Sequence, residues 1–393
     1  MAHIEIYHKN NTFSISGDIG VKDKLKRCNP YNDFLIKKIK KIIKPKHNEI
    51  IFVMFSGCQQ TNQKKIIQFI KNNNINKIYF FIEDVLRLYS NKNNFNWLDT
   101  YPLENDPDNV RSFELDIISN ILEKTKCVYK IYHCEKNSTV MSKNYNLKID
   151  YFDWYYISAI RDYCNDAFVI NKKYNISKKI SCFNLRFDYH RYIIALLVKD
   201  FDCVLSLNNL CSTKDLMNNK AIPIDNFSKE IKQKILENHK QLNGNPILWD
   251  AENNDDVIFI ESQKQKNNVN AIRSAFVDVV TETRYVSNMI NLTEKTIKPI
   301  VAYRPFVLLG PIGTLDHLKS LGFKTFNDWW DESYDQESNH NKRLEMVYNI
   351  IKSINSKSIS ELEKMLAEMK PILEHNYKNL HNQFKKNKKY LIL

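Results

Sequence analysis

Two stretches of the chain alternate short apolar runs with helically spaced stripes, and this alternation restricts the fold more than any other feature. Residues 50–56 read IIFVMFS and end at Gly57. TNQKKIIQFIKNNN follows, with Ile66, Ile67 and Ile70 on one helical face, and then comes a second run, INKIYFFIED. Apolar runs too short for a helix, on either side of a helical stripe, predict strand, helix, strand. Phe113, Ile117, Ile118, Ile121 and Leu122 make a further stripe that leads into CVYKIYH at 127–133. The first half is therefore expected to be α/β with a parallel sheet.

After the polar stretch NKKYNISKK a second alternation begins at ISCFNLRFDYHRYIIALLVKD. Strand candidates are DCVLSL (202–207), DVIFIE (256–261), AFVDVVTE (275–282) and RPFVLLG (304–310). From Asn339 the pattern turns helical: Leu344, Val347, Tyr348 and Ile351 share a face, and Ser358 with Glu361 has capping-box spacing. Pro371 is expected to kink or split the last helix. A chain of 393 residues exceeds what one hydrophobic core usually spans. The expected division is an α/β domain over 1–175, a second over 176–345, and C-terminal helices over 346–393 that return to the first domain.

The formal charge of +13 favours anionic partners: nucleotides, nucleic acid or acidic surfaces. Asn, Lys and Ile share A/T-rich codons, so part of that charge reports genome composition. No apolar run approaches the roughly 18 residues of a membrane span, and MAHIEIYHKN has no signal-peptide apolar region. A soluble cytoplasmic protein is the expectation. The eight cysteines form no CxxC or CxxH pair, which predicts reduced thiols and no zinc site.

Residues 291–315, NLTEKTIKPIVAYRPFVLLGPIGTL, carry the chemistry. Thr293 suits the N-cap of a helix starting at Glu294. Lys295 in the first turn opposes the helix dipole, so an anion is expected to compensate it. A phosphate held by backbone N–H groups, the dipole and the ammonium would do so. Glu294 offers two acceptor oxygens to adjacent ribose hydroxyls. Of only seven glycines, Gly310, Gly313 and Gly322 fall within thirteen positions at and just beyond its end. The first two bracket a strand-to-helix turn where a missing side chain permits positive φ or close ligand approach, and Gly322 stands at a helix C-cap. Two helix N-termini could thus open on one sheet edge. The ligand-free alternative for the same residues is an ordinary helix start and turn.

The order of motifs over 181–335 resembles nucleotide-sugar glycosyltransferases of the B-fold, especially the donor domain of the α-1,3-fucosyltransferases and related viral or bacterial transferases. The carriers are CFNLRFDYHRYIIALL with Asn184, Arg186, His190 and Arg191, VVTETRY with Glu282, and NLTEKTIKPI with Thr293, Glu294 and Lys295. The resemblance implies two Rossmann-like domains with a C-terminal helical extension. It implies metal-independent, inverting sugar transfer from a nucleotide-diphosphate donor to a glycan or other hydroxyl acceptor, with no cofactor. Arg191 and Lys295, with Arg186 in support, would hold the diphosphate and Glu294 the ribose, while Glu282 would orient the donor or the Lys and Arg cluster. TETRY, where those enzymes often have Phe-Glu-Asn, leaves the sugar open.

Other candidates keep two readings. His190 contacts phosphate or belongs to a helix cap. YFDWYY at 151–156, Trp329, Trp330 and Tyr334 stack a sugar or fill the core. Asp331, Glu332 and Asp335 bind hydroxyls or supply negative charge at the start of the following helix. Glu83 and Asp84, at the end of IYFFIED, are the candidate catalytic bases, with Asp153 as another. The competing function is a nucleic-acid-binding protein, or a transferase that modifies DNA. The basic residues are dispersed along the chain, which favours a glycosyltransferase over a nucleic-acid-binding protein and leaves DNA open as an acceptor.

Overall fold

The computed structural model describes residues 3–8, 11–16, 46–54, 63–82, 88–89, 111–134, 145–151, 156, 159–160, 163–164, 175–247, 269–287 and 289–391. Glu83, Asp84, Asp153 and the expected strand 256–261 lie outside them. The chain divides into one unit of Met1–Ile157 with Asn387–Leu393 and a second of Ser158–Lys386. Both are α/β. No helix among the described residues is long and apolar enough to cross a membrane.

The first unit holds a six-stranded sheet in the order β2-β1-β3-β4-β7-β8. Strands β3 (Glu49–Met54), β4 (Lys77–Ile82), β7 (Val128–His133) and β8 (Ile149–Tyr151) run parallel. The first two are buried at every position after the first, which explains why their sequences read as unbroken apolar runs. Helix α1 (Gln63–Asn72) buries Ile66 and Ile70. Helix α2 (Phe113–Thr125) starts at Ser112, whose Oγ accepts from the Leu115 N–H at 3.4 Å. A two-residue pair joins β5 (Leu88–Tyr89) to β6 (Arg111–Ser112).

Strands β1 (His3–His8) and β2 (Asn11–Ser16) add an antiparallel hairpin on the far side of β3. The sequence reading missed it, because the intervening Lys9-Asn10 lacks the glycine that marks two-residue hairpins. The four parallel strands follow one another across the sheet without reversal.

The second unit is built on four parallel strands in the order β10-β9-β11-β12: β9 (Lys178–Asn184), β10 (Cys203–Leu207), β11 (Ala275–Thr281) and β12 (Phe306–Leu309). From β9 the chain passes through α3 (Tyr189–Val198) to β10 on one side. It later enters β11 on the other side of β9 and passes through α6 (Glu294–Val301) to β12. The direction of winding therefore reverses between β9 and β11. Helix α3 is buried from His190 to Val198, in keeping with the nearly unbroken apolar run YIIALLV.

The remaining helices of this unit are α4 (Thr213–Met217), α5 (Lys229–Leu242), α7 (Thr314–Ser320), α8 (His340–Ser356) and α9 (Ile359–Leu391). The Ser358 and Glu361 capping box forms, with Glu361 Oε2 accepting from the Ser358 N–H at 2.7 Å and Ser358 Oγ from the Glu361 N–H at 3.2 Å. Pro371 does not split α9, which runs through it as one helix. Asn376 exchanges two hydrogen bonds with the Lys324 backbone, and Asn379 and Gln383 donate to the Leu321 carbonyl. These contacts hold α9 to the turn after α7.

Candidate functional site

The reversal of winding places the carboxyl ends of β9 and β11 side by side, the position where open α/β sheets bind ligands. Thr281, ending β11, donates to Asn184, ending β9, at 2.8 Å. Around this join stand the start of α3, the start of α6 and the residue after β11, Glu282.

Glu282 is fully buried, and each of its polar groups has partners. Its Oε1 accepts from the Thr293 N–H at 3.0 Å and the Thr296 hydroxyl at 2.6 Å. Its Oε2 accepts from the Thr293 hydroxyl at 2.7 Å and, at 3.3 Å, from the Thr283 N–H. Its carbonyl accepts from His190 Nε2 at 3.0 Å and Arg191 Nη2 at 2.9 Å. One residue thus pins the beginnings of both helices to the end of β11. The Glu282 carbonyl holds the His190 and Arg191 side chains, and its carboxylate holds the Thr293 cap.

His190 is completely buried. A carbonyl can only accept, so Nε2 carries a proton, while Nδ1 shares one with Asp188 Oδ1 at 2.6 Å. Asp188 is the N-cap of α3. Burial opposes the charge on Asp188, but His190 and Arg191 hold its carboxyl below the ordinary range. Of the two readings of His190, the geometry matches the cap: the ring is a strut without access to a ligand. It stacks on Tyr285 at 4.9 Å, and the Arg343 guanidinium lies 4.2 Å over that same ring.

Arg191 is also buried. Its Nη2 holds the Glu282 carbonyl, its Nη1 reaches the Arg186 carbonyl at 3.4 Å, and its Nε has no hydrogen-bond partner. Burial pulls the guanidinium below its ordinary value, against the attraction of Asp188, Glu282 and Glu294. The side-chain oxygen of buried Asn291, two residues before the α6 cap, also lacks a partner. Native interiors rarely strand such groups without an ordered water, an ion or a functional role. Arg186 is exposed on the loop between β9 and α3.

Thr293 caps α6 as expected, accepting from the Lys295 N–H at 3.3 Å. The Lys295 ammonium folds back over the helix start, 3.1 Å from Thr293 Oγ1, 3.4 Å from Thr283 Oγ1 and 3.3 Å from Glu294. Glu294 is two-fifths exposed along its side chain. Partial burial opposes its charge, but Lys295 and Lys298 bring its pKa down to about 2. Beneath α6, Asp278 of β11 accepts from Ser181 at 2.6 Å, and burial pushes its pKa up to about 7 despite that bond and the nearby Lys298.

The turn after β12 takes the positive φ that its glycines allow. Gly313 has φ of 77° and Gly322 of 83°, so both use the left-handed region. Gly310 is needed for packing: a Cβ there would stand 2.8 Å from Thr314 Oγ1. The N-terminus of α7 is occupied by Asp335, which accepts from the Leu315 and Asp316 N–H groups at 3.0 and 3.4 Å. Gly310 and Gly313 therefore shape a turn that is capped from within. Asp335 serves the helix before it, and Asp331 closes a local turn onto Ser333.

Sequence reasoning missed Thr283, Thr296 and Asn291, and it passed over Asp188, whose place just before the apolar run is a legible cap signal. Of the aromatic candidates, Trp330, Tyr334 and Tyr156 are buried, and Trp329 lies beside Phe326. Six described cysteines are free thiols. Among the described residues no group of three or more His, Cys, Asp or Glu side chains is placed to hold a metal ion. Comparison with protein-family models, curated proteins and solved structures finds no match to the chain.

Proposed function

We propose that the protein is a glycosyltransferase that uses a nucleotide-diphosphate sugar, with the second unit holding the donor's diphosphate at the reversal between β9 and β11. The observation that carries this reading is Arg191: a buried guanidinium at the switch point, fixed by backbone carbonyls, with Nε unpartnered. Lys295 in the first turn of α6 and exposed Arg186 on the loop between β9 and α3 add further positive charge. A departing diphosphate gains negative charge in the transition state, and fixed cations in a partly dry site stabilise that gain.

In this reading Glu282 sets the geometry without touching the donor, and Glu294 accepts from the ribose hydroxyls. Arg191, Lys295 and Arg186 neutralise the leaving group, so the transfer needs no divalent cation. The acceptor hydroxyl attacks the anomeric carbon directly, with inversion, as a base removes its proton. Glu83 and Asp84 are the candidates for that base. A thermal-shift comparison of UDP, GDP, CDP and dTDP with their nucleosides tests the reading, because a ligand that binds only the native state raises its stability. Stabilisation by a diphosphate but not by its nucleoside is expected; no response to any of the four overturns the proposal.

A further inference from the structure

A second cluster of reactive side chains lies on the same edge of the sheet, at the end of β10. The loop leaving that strand is laced to the loop that carries Arg186: the Asn208 N–H donates to the Asn184 carbonyl at 3.2 Å and the Asn209 amide to the Leu185 carbonyl at 2.8 Å. It then reaches Thr213, whose exposed hydroxyl is 2.9 Å from His239 Nε2 on α5. His239 Nδ1 is 2.7 Å from the hydroxyl of Tyr192, the residue after Arg191 on α3. Tyr192 is buried, and its hydroxyl neighbours the Cys211 thiol.

These contacts accept one consistent proton order. The Thr213 hydroxyl donates to Nε2, Nδ1–H donates to the Tyr192 oxygen, and the Tyr192 proton points to Cys211. Burial lowers the His239 pKa, which keeps Nε2 free to accept near neutral pH. An exposed hydroxyl, a neutral imidazole within reach and a third group that holds the ring form the arrangement of an activated nucleophile. The third group here is a phenol whose pKa burial raises well above its ordinary value. It orients the ring but stabilises an imidazolium poorly, so the arrangement suits a slow, single modification better than repeated turnover.

We propose that Thr213 is a self-glycosylation site. This rests on the proposed use of a nucleotide-diphosphate sugar. In the reaction the Thr213 oxygen bonds to the anomeric carbon, whose bond to the diphosphate oxygen breaks with the electron pair leaving on the nucleotide diphosphate. The hydroxyl proton passes to His239 Nε2 and then to water.

The full chain is first screened by thermal shift against UDP-glucose, UDP-N-acetylglucosamine, GDP-mannose, GDP-fucose, CDP-glucose and dTDP-rhamnose. It is then incubated with each donor that stabilises it, and the peptide containing Thr213 is weighed by mass spectrometry. One added sugar on Thr213 is expected, absent in Thr213→Val and slowed by about 10²-fold or more in His239→Gln, the range for loss of a general base. Thr213→Ser should restore the modification, and Thr213→Val should keep the donor's thermal shift. A donor that stabilises the chain yet leaves Thr213 unmodified overturns this inference and spares the proposed function. If no donor stabilises the chain, both fall.

Discussion

Replacing Glu282 with Gln tests whether one carboxylate holds the candidate site together. The side chain is fully buried and accepts four hydrogen bonds, two at each oxygen. Gln keeps one acceptor oxygen and loses the charge, so two of the four donors face an amide NH₂. The Thr293 hydroxyl could rotate to accept from it, but that oxygen already receives the Lys295 N–H and ammonium. A hydrogen bond to a charged group contributes about 1.5–3 kcal/mol, and the 3.3 Å bond belongs at or below the low end, so the expected loss is about 3 kcal/mol. For a unit of this size that lowers the melting temperature by about 6–12 °C. Urea unfolding measures the loss, and hydrogen exchange at the Thr293 amide locates it, since that N–H donates directly to Glu282. Thr296→Val, which removes a single donor, should cost less than Glu282→Gln. Stability of Glu282→Gln within about 0.5 kcal/mol of the parent, with unchanged protection at Thr293, would refute the pinning role.

Arg191→Met and Lys295→Met should each weaken nucleotide-diphosphate binding by about 1.5–3 kcal/mol while sparing the nucleoside, as calorimetry on both ligands would read out; equal losses for both ligands would point to misfolding. Asp278→Asn should flatten part of the pH dependence of stability. The folded-state pKa of Asp278 is raised from 3.8 to about 7, so between those values the native state binds the extra proton and stability falls as pH rises. Parent and variant unfolding compared at pH 5 and pH 8 should show the variant relatively more stable at pH 8, and an identical difference at both would contradict a raised pKa. Gly310→Ala should destabilise by about 1–3 kcal/mol, since the new methyl meets a Thr314 hydroxyl already bonded to the Pro311 carbonyl at 2.5 Å, and thermal melting checks it.

Much of the fold was legible because strands β3, β4, β11 and β12 are buried at nearly every position and so read as unbroken apolar runs. Strands β3, β4, β10, β11 and β12 coincide with apolar runs visible in the sequence, and the α2 stripe lies where its spacing puts it. The Thr293 cap and the Ser358 and Glu361 box were legible because they depend on neighbours one to three residues away. The β1–β2 hairpin escaped because its turn has no glycine, and the unbroken path of α9 through Pro371 overrode a local rule.

Local sequence determined where the buried strands lie, where several helices begin, and that Arg191 and Lys295 each stand near a helix start. It could not determine which anion faces those starts. Glu282 lies eleven residues before Thr293 and is brought to it by the end of a strand, while Asp335 reaches the start of α7 from twenty residues downstream of Leu315. Strand order is equally non-local: the reversal that sets β9 beside β11 depends on pairing across 97 residues, as between Lys178 and Ala275. Helix caps and apolar periodicity are written in neighbouring residues, whereas the partner of a buried charge is settled only when distant segments pack and exclude water.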